Sequence, residues 1–407
     1  MTRSLSLSTL SPLQRVLLVV LALALFALNT WVVYTTLTSR APIIVFDFHH
    51  PWVGIRAMLR DGANPYSHEV SLMIQKQLLG RASRPGEQQE NFVYPLHLMV
   101  LFAPFALLPL PVAQALWFSV LEVSIIVFII VAPRAVGWHP PTWLLALTAL
   151  FTIGYYSSVW AMILGQISIV VAAFVALTWW GLRTERWILA GVCLALTTVK
   201  PQMSFLLVPA LLIWGGYRRR WSFIAAFSAS FIIIILLPLP WLPDWPLEWV
   251  EAANRYAGYT AFDPPLIMLT GSVWVAGAVT VLLLAYTAFF YWRRRPERQD
   301  VIFNWALSML VVISALIAPR TTHVNQLALL LPLFFIFSRS KNNGAIATVE
   351  IALIIGLWLI DIIWFPSTSS SQHKIWQHGV ISPILPVGLA LALLPLGPRL
   401  AAEERVS

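Results

Sequence analysis

Phe46-Asp47-Phe48-His49-His50 interrupts a chain that is otherwise soluble in lipid. It follows an apolar run ending near Leu37 and opens a long polar and amphipathic stretch, which closes at Tyr94-Pro95-Leu96 where apolar sequence resumes. A chain that only had to turn back across a membrane could do so in about 4–6 residues. Long ordered loops tend to carry function. An acid and two histidines kept at one membrane face therefore mark this stretch as the place to look for chemistry.

The rest of the sequence says which solvent the fold lives in. The chain has 407 residues, 59% hydrophobic and 11% charged, with a mean hydropathy of +0.79. Soluble domains carry roughly 45–50% apolar and 25% charged residues, so an all-α, polytopic membrane protein is expected, a single domain over 1–407. The net charge of +9 sits in short basic clusters between apolar runs, as the positive-inside bias produces, and does not point to nucleic acid. Cys193 is the single cysteine and can form no intrachain disulfide. The run after Arg3 and Arg15 is too long for a signal-peptide core and reads as a retained signal anchor.

A span needs about 20 apolar residues, and candidates extend from 15–37 to 379–397. Arg183 with Arg186, Arg218-Arg219-Arg220, Arg293-Arg294-Arg295 and Arg339 with Lys341 are assigned to the inside. The first loop, 38–93, and a second, 240–268, then face outside. Parity requires that one of the segments 94–110 and 142–158 is not a full span, leaving about twelve crossings with both termini inside. In the first loop Trp52, Ile55 and Leu59 share one helical face, and Val70, Met73, Ile74 and Leu78 another. Two amphipathic helices lying in the interface are expected, near 51–60 and 68–80. Residues 81–91 read as a mobile outer loop, and Trp241, Trp245 and Trp249 as an interfacial belt.

Several side chains could carry chemistry. Asp47 sits at the outer boundary, where an unpaired acid is expensive, up to about 2.5–3.5 kcal/mol at the bilayer centre. It is either a general base for a hydroxyl or a helix cap. His49 and His50 could act beside it, bind a phosphate, or simply be interfacial histidines. Lys200-Pro201 divides an apolar hairpin whose ends, Arg186 and Arg218, are both inside, so its tip reaches toward the Asp47 face. A lysine there is a phosphate ligand or a snorkelling side chain. Arg320-Thr321-Thr322-His323-Val324-Asn325-Gln326 gathers donors at the same face, for phosphate or as an ordinary polar turn. Gln166, after Gly165, could bond a sugar or a neighbouring helix. Glu122 and Asp361 are acids inside spans, either catalytic, part of a proton path, or paired in the interior. There is no Walker loop, dinucleotide fingerprint or nucleophile elbow, so nucleotide-driven transport has no support.

Taken in order, these motifs resemble glycosyltransferase family 87, membrane transferases of the GT-C superfamily. Asp47-Phe48, Gly62 and Pro65-Tyr66 are similar to the family's first loop; Tyr94-Pro95-Leu96, Pro104 and Leu108-Pro109 to its second apolar segment. Gly165-Gln166, the stretch from Ala190-Gly191 to Lys200-Pro201, and Arg218-Arg219-Arg220-Trp221 follow with the family's spacing. Leu96 replaces a second proline, and Ala318-Pro319-Arg320-Thr321-Thr322-His323 matches the late motif only in part. The resemblance implies a GT-C-type fold of about twelve transmembrane helices. It also implies transfer of a hexose, mannose being expected, from a polyprenyl-phosphate donor to a lipid or glycan acceptor at the outer face of the plasma membrane. Asp47 would be the catalytic base. Lys200, Arg320 and His323 would bind the donor phosphate, and His49, His50, Tyr94 and Gln166 the substrates. No cofactor is expected, and a divalent metal is left open. The alternative is a flippase or binding protein for a lipid-linked saccharide, which would use the same basic pocket without a base.

Overall fold

The structure is a computed structural model and describes residues 12–38, 45–84, 87, 89–259, 263–294, 301–319, 321–364 and 380–403. Its elements are helices, and no strand occurs among the described residues. α1 (Pro12–Val33) precedes the polar stretch, which folds into α2 (Phe46–Asp61) and α3 (His68–Leu79). The Ser67 hydroxyl starts α3 by accepting the Val70 N–H at 3.2 Å. α4 (Met99–Ala106) is short, α5 (Leu110–Val136) is long, and α6 (Thr142–Gly154) meets α7 (Tyr156–Leu164) at a 47° bend. α8 (Ser168–Arg183), α9 (Trp187–Leu196), α10 (Leu207–Tyr217) and α11 (Trp221–Leu236) follow, and then α12 (Trp245–Tyr259) and α13 (Pro265–Thr270). The chain ends with α14 (Val273–Arg294), α15 (Val301–Ile317), α16 (Leu330–Ser338), α17 (Asn343–Trp364), α18 (Ser382–Leu393) and α19 (Leu396–Glu403).

α5, α8, α9 and α11 pack in series, and α15 gathers α14, α16 and α18 around it. α8 and α15 are apolar on every face and buried along most of their length, which is what an all-round apolar helix signals when it sits inside protein. Where α9 crosses α11, a Cβ on Gly191 would stand 2.5 Å from the Phe223 carbonyl oxygen and 2.7 Å from the Phe227 nitrogen. The two backbones touch there, as small residues permit. Gly191→Ala is expected to destabilise the fold by about 1–3 kcal/mol. A lowered midpoint of thermal unfolding in detergent is the readout, and an unchanged midpoint would show that the crossing yields freely.

Length and composition single out fewer full-length spans than the twelve crossings expected. Among the described residues five helical stretches are long and apolar enough to cross a membrane: Val19–Thr36, Leu110–Val136, Val273–Arg293, Asn343–Ile363 and Ser382–Leu400. The bent pair α6–α7 would make a sixth. Seven further apolar helices are shorter than a full span. The two segments that parity singled out are both interrupted: 94–110 is one 3-10 turn plus α4, and 142–158 is cut at Tyr155. Hydropathy registers the apolar run but not the break inside it.

The first loop forms two helices, but α2 does not lie on the surface. Phe48, Trp52, Val53, Ile55 and Met58 are all buried, and α2 packs along α4. Arg56 donates to the carbonyls of Ala106 and Leu108 at 2.8 and 3.0 Å, and Arg60 to Leu107 at 3.2 Å. These cations satisfy the carbonyls that the end of α4 leaves open, where the helix dipole also favours them. Arg56 and Arg60, which stand beside the apolar face of Trp52, Ile55 and Leu59, thus cap a neighbouring helix.

Candidate active site

Asp47 stands in the first turn of α2, the end of a helix that favours an anion. Gly165 brings its partner close. Its φ of 71° is in the left-handed region, and a Cβ there would fall 2.6 Å from Val45 Cβ. The start of α2 can thus press against the turn after α7, which Trp117 holds by donating its indole N–H to the Gly165 carbonyl at 2.8 Å. Gln166, the next residue, reaches Asp47: its Nε2 donates to Asp47 Oδ2 at 2.5 Å.

Lys200 approaches from the other side. Pro201 disfavours helical backbone at the residue before it, and Lys200 takes φ −133°, ψ 76° in a break between two 3-10 turns, Thr197–Val199 and Pro201–Met203. Its buried Nζ donates to Gln166 Oε1 at 2.5 Å. A carboxylate only accepts and an ammonium only donates, so the Gln166 amide can face them in one orientation alone. Acid and cation are joined through an amide, and both line a cavity of about 720 Å³.

That cavity collects the segments that charge bias assigned to one membrane face. Its lining includes Asp47, Tyr94, Gln166, Lys200, Tyr256 and Asn325. Of the residues expected at the site, His50 also lines it. Both His50 nitrogens are engaged within the chain: Nδ1 meets the Phe46 carbonyl at 3.0 Å and Nε2 meets Glu90 Oε2 at 2.7 Å. Both nitrogens face oxygens, which favours the imidazolium; burial lowers the His50 pKa, but Glu90 and Asp47 outweigh it and hold the value above the ordinary one. His49 is turned away from the cavity and lies over Trp52, ring centroids 6.0 Å apart. His323 is buried beside Tyr156 and Trp160, at 5.2 and 6.4 Å between centroids, while its neighbours Thr322 and Asn325 line the cavity. Arg320 lies outside the described residues.

Burial raises the Asp47 pKa, opposed by His50, Lys200 and the Gln166 hydrogen bond. The net effect is a carboxylate more basic than an ordinary aspartate. Burial pushes Lys200 down to about 7, with Asp47 pulling the other way.

Some of the site was missed from the sequence. Glu90 and Asn91, read as part of a mobile loop, line the cavity, and Asn91 donates to the Tyr259 hydroxyl at 3.2 Å. Trp249, read as part of an interfacial belt, lines the wall and donates its indole N–H to the Val93 carbonyl at 3.3 Å. The spacing of Trp245, Trp249, Ala252 and Tyr256 on one helical face was the available signal. The acids inside spans are tied to neighbouring helices: Glu122 accepts from Asn29, and Asp361 from the Tyr156 hydroxyl at 3.0 Å. Among the described residues no group of three or more His, Cys, Asp or Glu is gathered for a metal.

The family model for glycosyltransferase family 87 matches residues 92–319, more than half of the chain. The chain belongs to glycosyltransferase family 87. No match was found to a curated protein or to a solved structure. Membership of family 87 makes this protein a membrane glycosyltransferase, with a sugar donor and an acceptor as substrates. The matched region contains Tyr94, Gln166 and Lys200 and begins after Asp47 and His50. The Gln166 amide is thus the link between the family region and the acid that precedes it.

Proposed function

We propose that this family 87 protein transfers a hexose, mannose being the expected one, from a polyprenyl-phosphate donor to a hydroxyl of a lipid or glycan acceptor at the outer face of the plasma membrane. The observation that carries this reading is the Asp47–Gln166–Lys200 bridge on the wall of one large cavity. The volume, about 720 Å³, falls in the range of roughly 300–1,000 Å³ that small-molecule sites occupy.

In this reaction the acceptor oxygen forms a bond to the sugar's anomeric carbon as its proton passes to Asp47. The bond from that carbon to the phosphate oxygen breaks, and its electron pair leaves with the polyprenyl phosphate. Attack from the face opposite the leaving group inverts the anomeric centre. Asp47, made more basic by burial, suits the proton acceptor, and the His50 imidazolium keeps it ionised before turnover. Charge grows on the phosphate as the bond breaks, and a preorganised cation beside it lowers the barrier. Lys200 supplies that cation, held in place by Gln166.

Comparison of glycolipids and glycans by mass spectrometry, with and without this chain, tests the reaction class: a product lacking one hexose is expected in its absence. The pH profile tests the site. Below about 7 Lys200 is charged, and it loses its proton as pH rises through that value. For the free enzyme, kcat/KM for the donor is therefore expected to fall above about pH 7. Asp47 must be deprotonated, so the acid limb lies above the ordinary aspartate range. Lys200→Arg, whose guanidinium stays charged, should remove the alkaline limb. Persistence of that limb in Lys200→Arg would assign it to another group.

A further inference from the structure

A second cavity, of about 340 Å³, opens at the other end of α10 from Lys200. Along this part of the chain its lining runs from Ala210 to Arg218, and it shares no lining residue with the first cavity. It is a groove between α10 and α14, which both pack against α15, and its walls include Trp214, Leu284, Phe303 and Leu307. Nearly everything in it is apolar; Arg218 is the charged residue in its lining.

The mouth is built differently from the walls. Tyr217 and Trp292 stand on opposite sides with ring centroids 5.7 Å apart, both more than half exposed. Arg219 and Arg220 follow Arg218 in the chain, and Arg293 lies at the end of α14 with its guanidinium 5.9 Å from the Phe289 ring. Among the described residues no carboxylate pairs with Arg218, Arg219, Arg220 or Arg293. The apolar slot thus ends in aromatic rings and the Arg218 guanidinium, with further basic residues nearby in the chain, while Arg220 stacks on Trp187 at 4.5 Å. Tyr and Trp favour the headgroup level of a bilayer, basic clusters at a membrane surface attract anionic lipid, and Arg meets phosphate oxygens with two parallel hydrogen bonds.

We propose that this groove is a binding site for one anionic phospholipid, with an acyl chain against Trp214, Leu284, Phe303 and Leu307 and the phosphate at Arg218. The cationic mouth selects this occupant over an uncharged chain. A donor's polyprenyl tail would have no use for arginines at the end remote from its own phosphate. The occupant belongs to the leaflet opposite the Lys200 cavity, and the site is independent of the reaction proposed there.

Native mass spectrometry tests this on the full chain in detergent, equilibrated with dioleoyl phosphatidylglycerol or dioleoyl phosphatidylcholine. A single phosphatidylglycerol adduct should outlast the phosphatidylcholine adduct on collisional activation. Arg218→Ala should weaken it about tenfold, the loss expected for hydrogen bonds to a charged group. Ala288→Trp, at the exposed rim of the groove, should abolish it by filling the slot. Gel filtration and sugar transfer should be unchanged in both variants, and if Arg218→Ala fails to fold, Ala288→Trp decides alone. Equal retention of the two lipids, or a phosphatidylglycerol adduct undiminished in Ala288→Trp, overturns the proposal. Displacement of the adduct by uncharged polyprenol also overturns it and gives the groove to the donor's tail.

Discussion

Asp47→Asn is expected to lower sugar transfer by about 10²–10⁴-fold, the usual contribution of base catalysis, with donor binding retained. The substitution keeps the size of the side chain, and the Asn carbonyl can still accept the Gln166 amide N–H that Asp47 accepts now. The bridge to Lys200 therefore survives, and what is lost is the proton acceptor. The measurement is transfer of labelled sugar from a short polyprenyl-phosphate donor in nanodiscs, with folding followed by gel filtration. A flippase working through the same pocket would tolerate this change. Near-normal transfer by well-folded Asp47→Asn protein would rule Asp47 out as the base and turn attention to Glu90 or Asp263, the other acids lining the cavity.

Lys200→Ala should be nearly as damaging, and in a different way. Loss of one electrostatic stabiliser typically lowers turnover by about 10²–10³-fold. The donor phosphate is charged before reaction as well, so the donor Kd should rise together with the fall in kcat. The change also leaves Gln166 Oε1 without the donor it now has and frees the amide that orients Asp47. Lys200→Arg separates the two effects: recovery of donor binding with incomplete recovery of turnover would assign charge to the first and position to the second. Unimpaired donor binding in Lys200→Ala would move the phosphate site away from the Lys200 break altogether.

The class of protein was legible because hydropathy is a property of runs of sequence. So were the helices of the first loop, since the apolar spacing at Val70, Ile74 and Leu78 repeats with the helical period. Where the apolar runs break was legible only as a parity mismatch. A composition average does not reveal that Tyr155 bends one apolar run or that α4 stops after eight residues. The role of Arg56 was hidden for a related reason: an arginine beside an apolar stripe looks the same whether it faces lipid headgroups or the carbonyls of Ala106 and Leu108.

For the candidate site, the sequence alone identified the residues whose burial would be costly anywhere. Asp47 and Lys200 stand out because a charge in apolar surroundings needs a partner, and Pro201 marks a break because its ring restricts the residue before it. What only the tertiary structure decided is which partners meet. Gln166 lies 119 residues from Asp47 and 34 from Lys200, and nothing local to any of the three names the others. The same holds for His50 and Glu90, 40 residues apart, and for His323, whose ring packs beside Tyr156 while its neighbours line the cavity. Hydrogen bonds act over about 3 Å whatever the distance along the chain. Local chemistry thus determined which side chains need partners, and helix packing, with Gly165 small enough to let α2 approach, determined which ones they found.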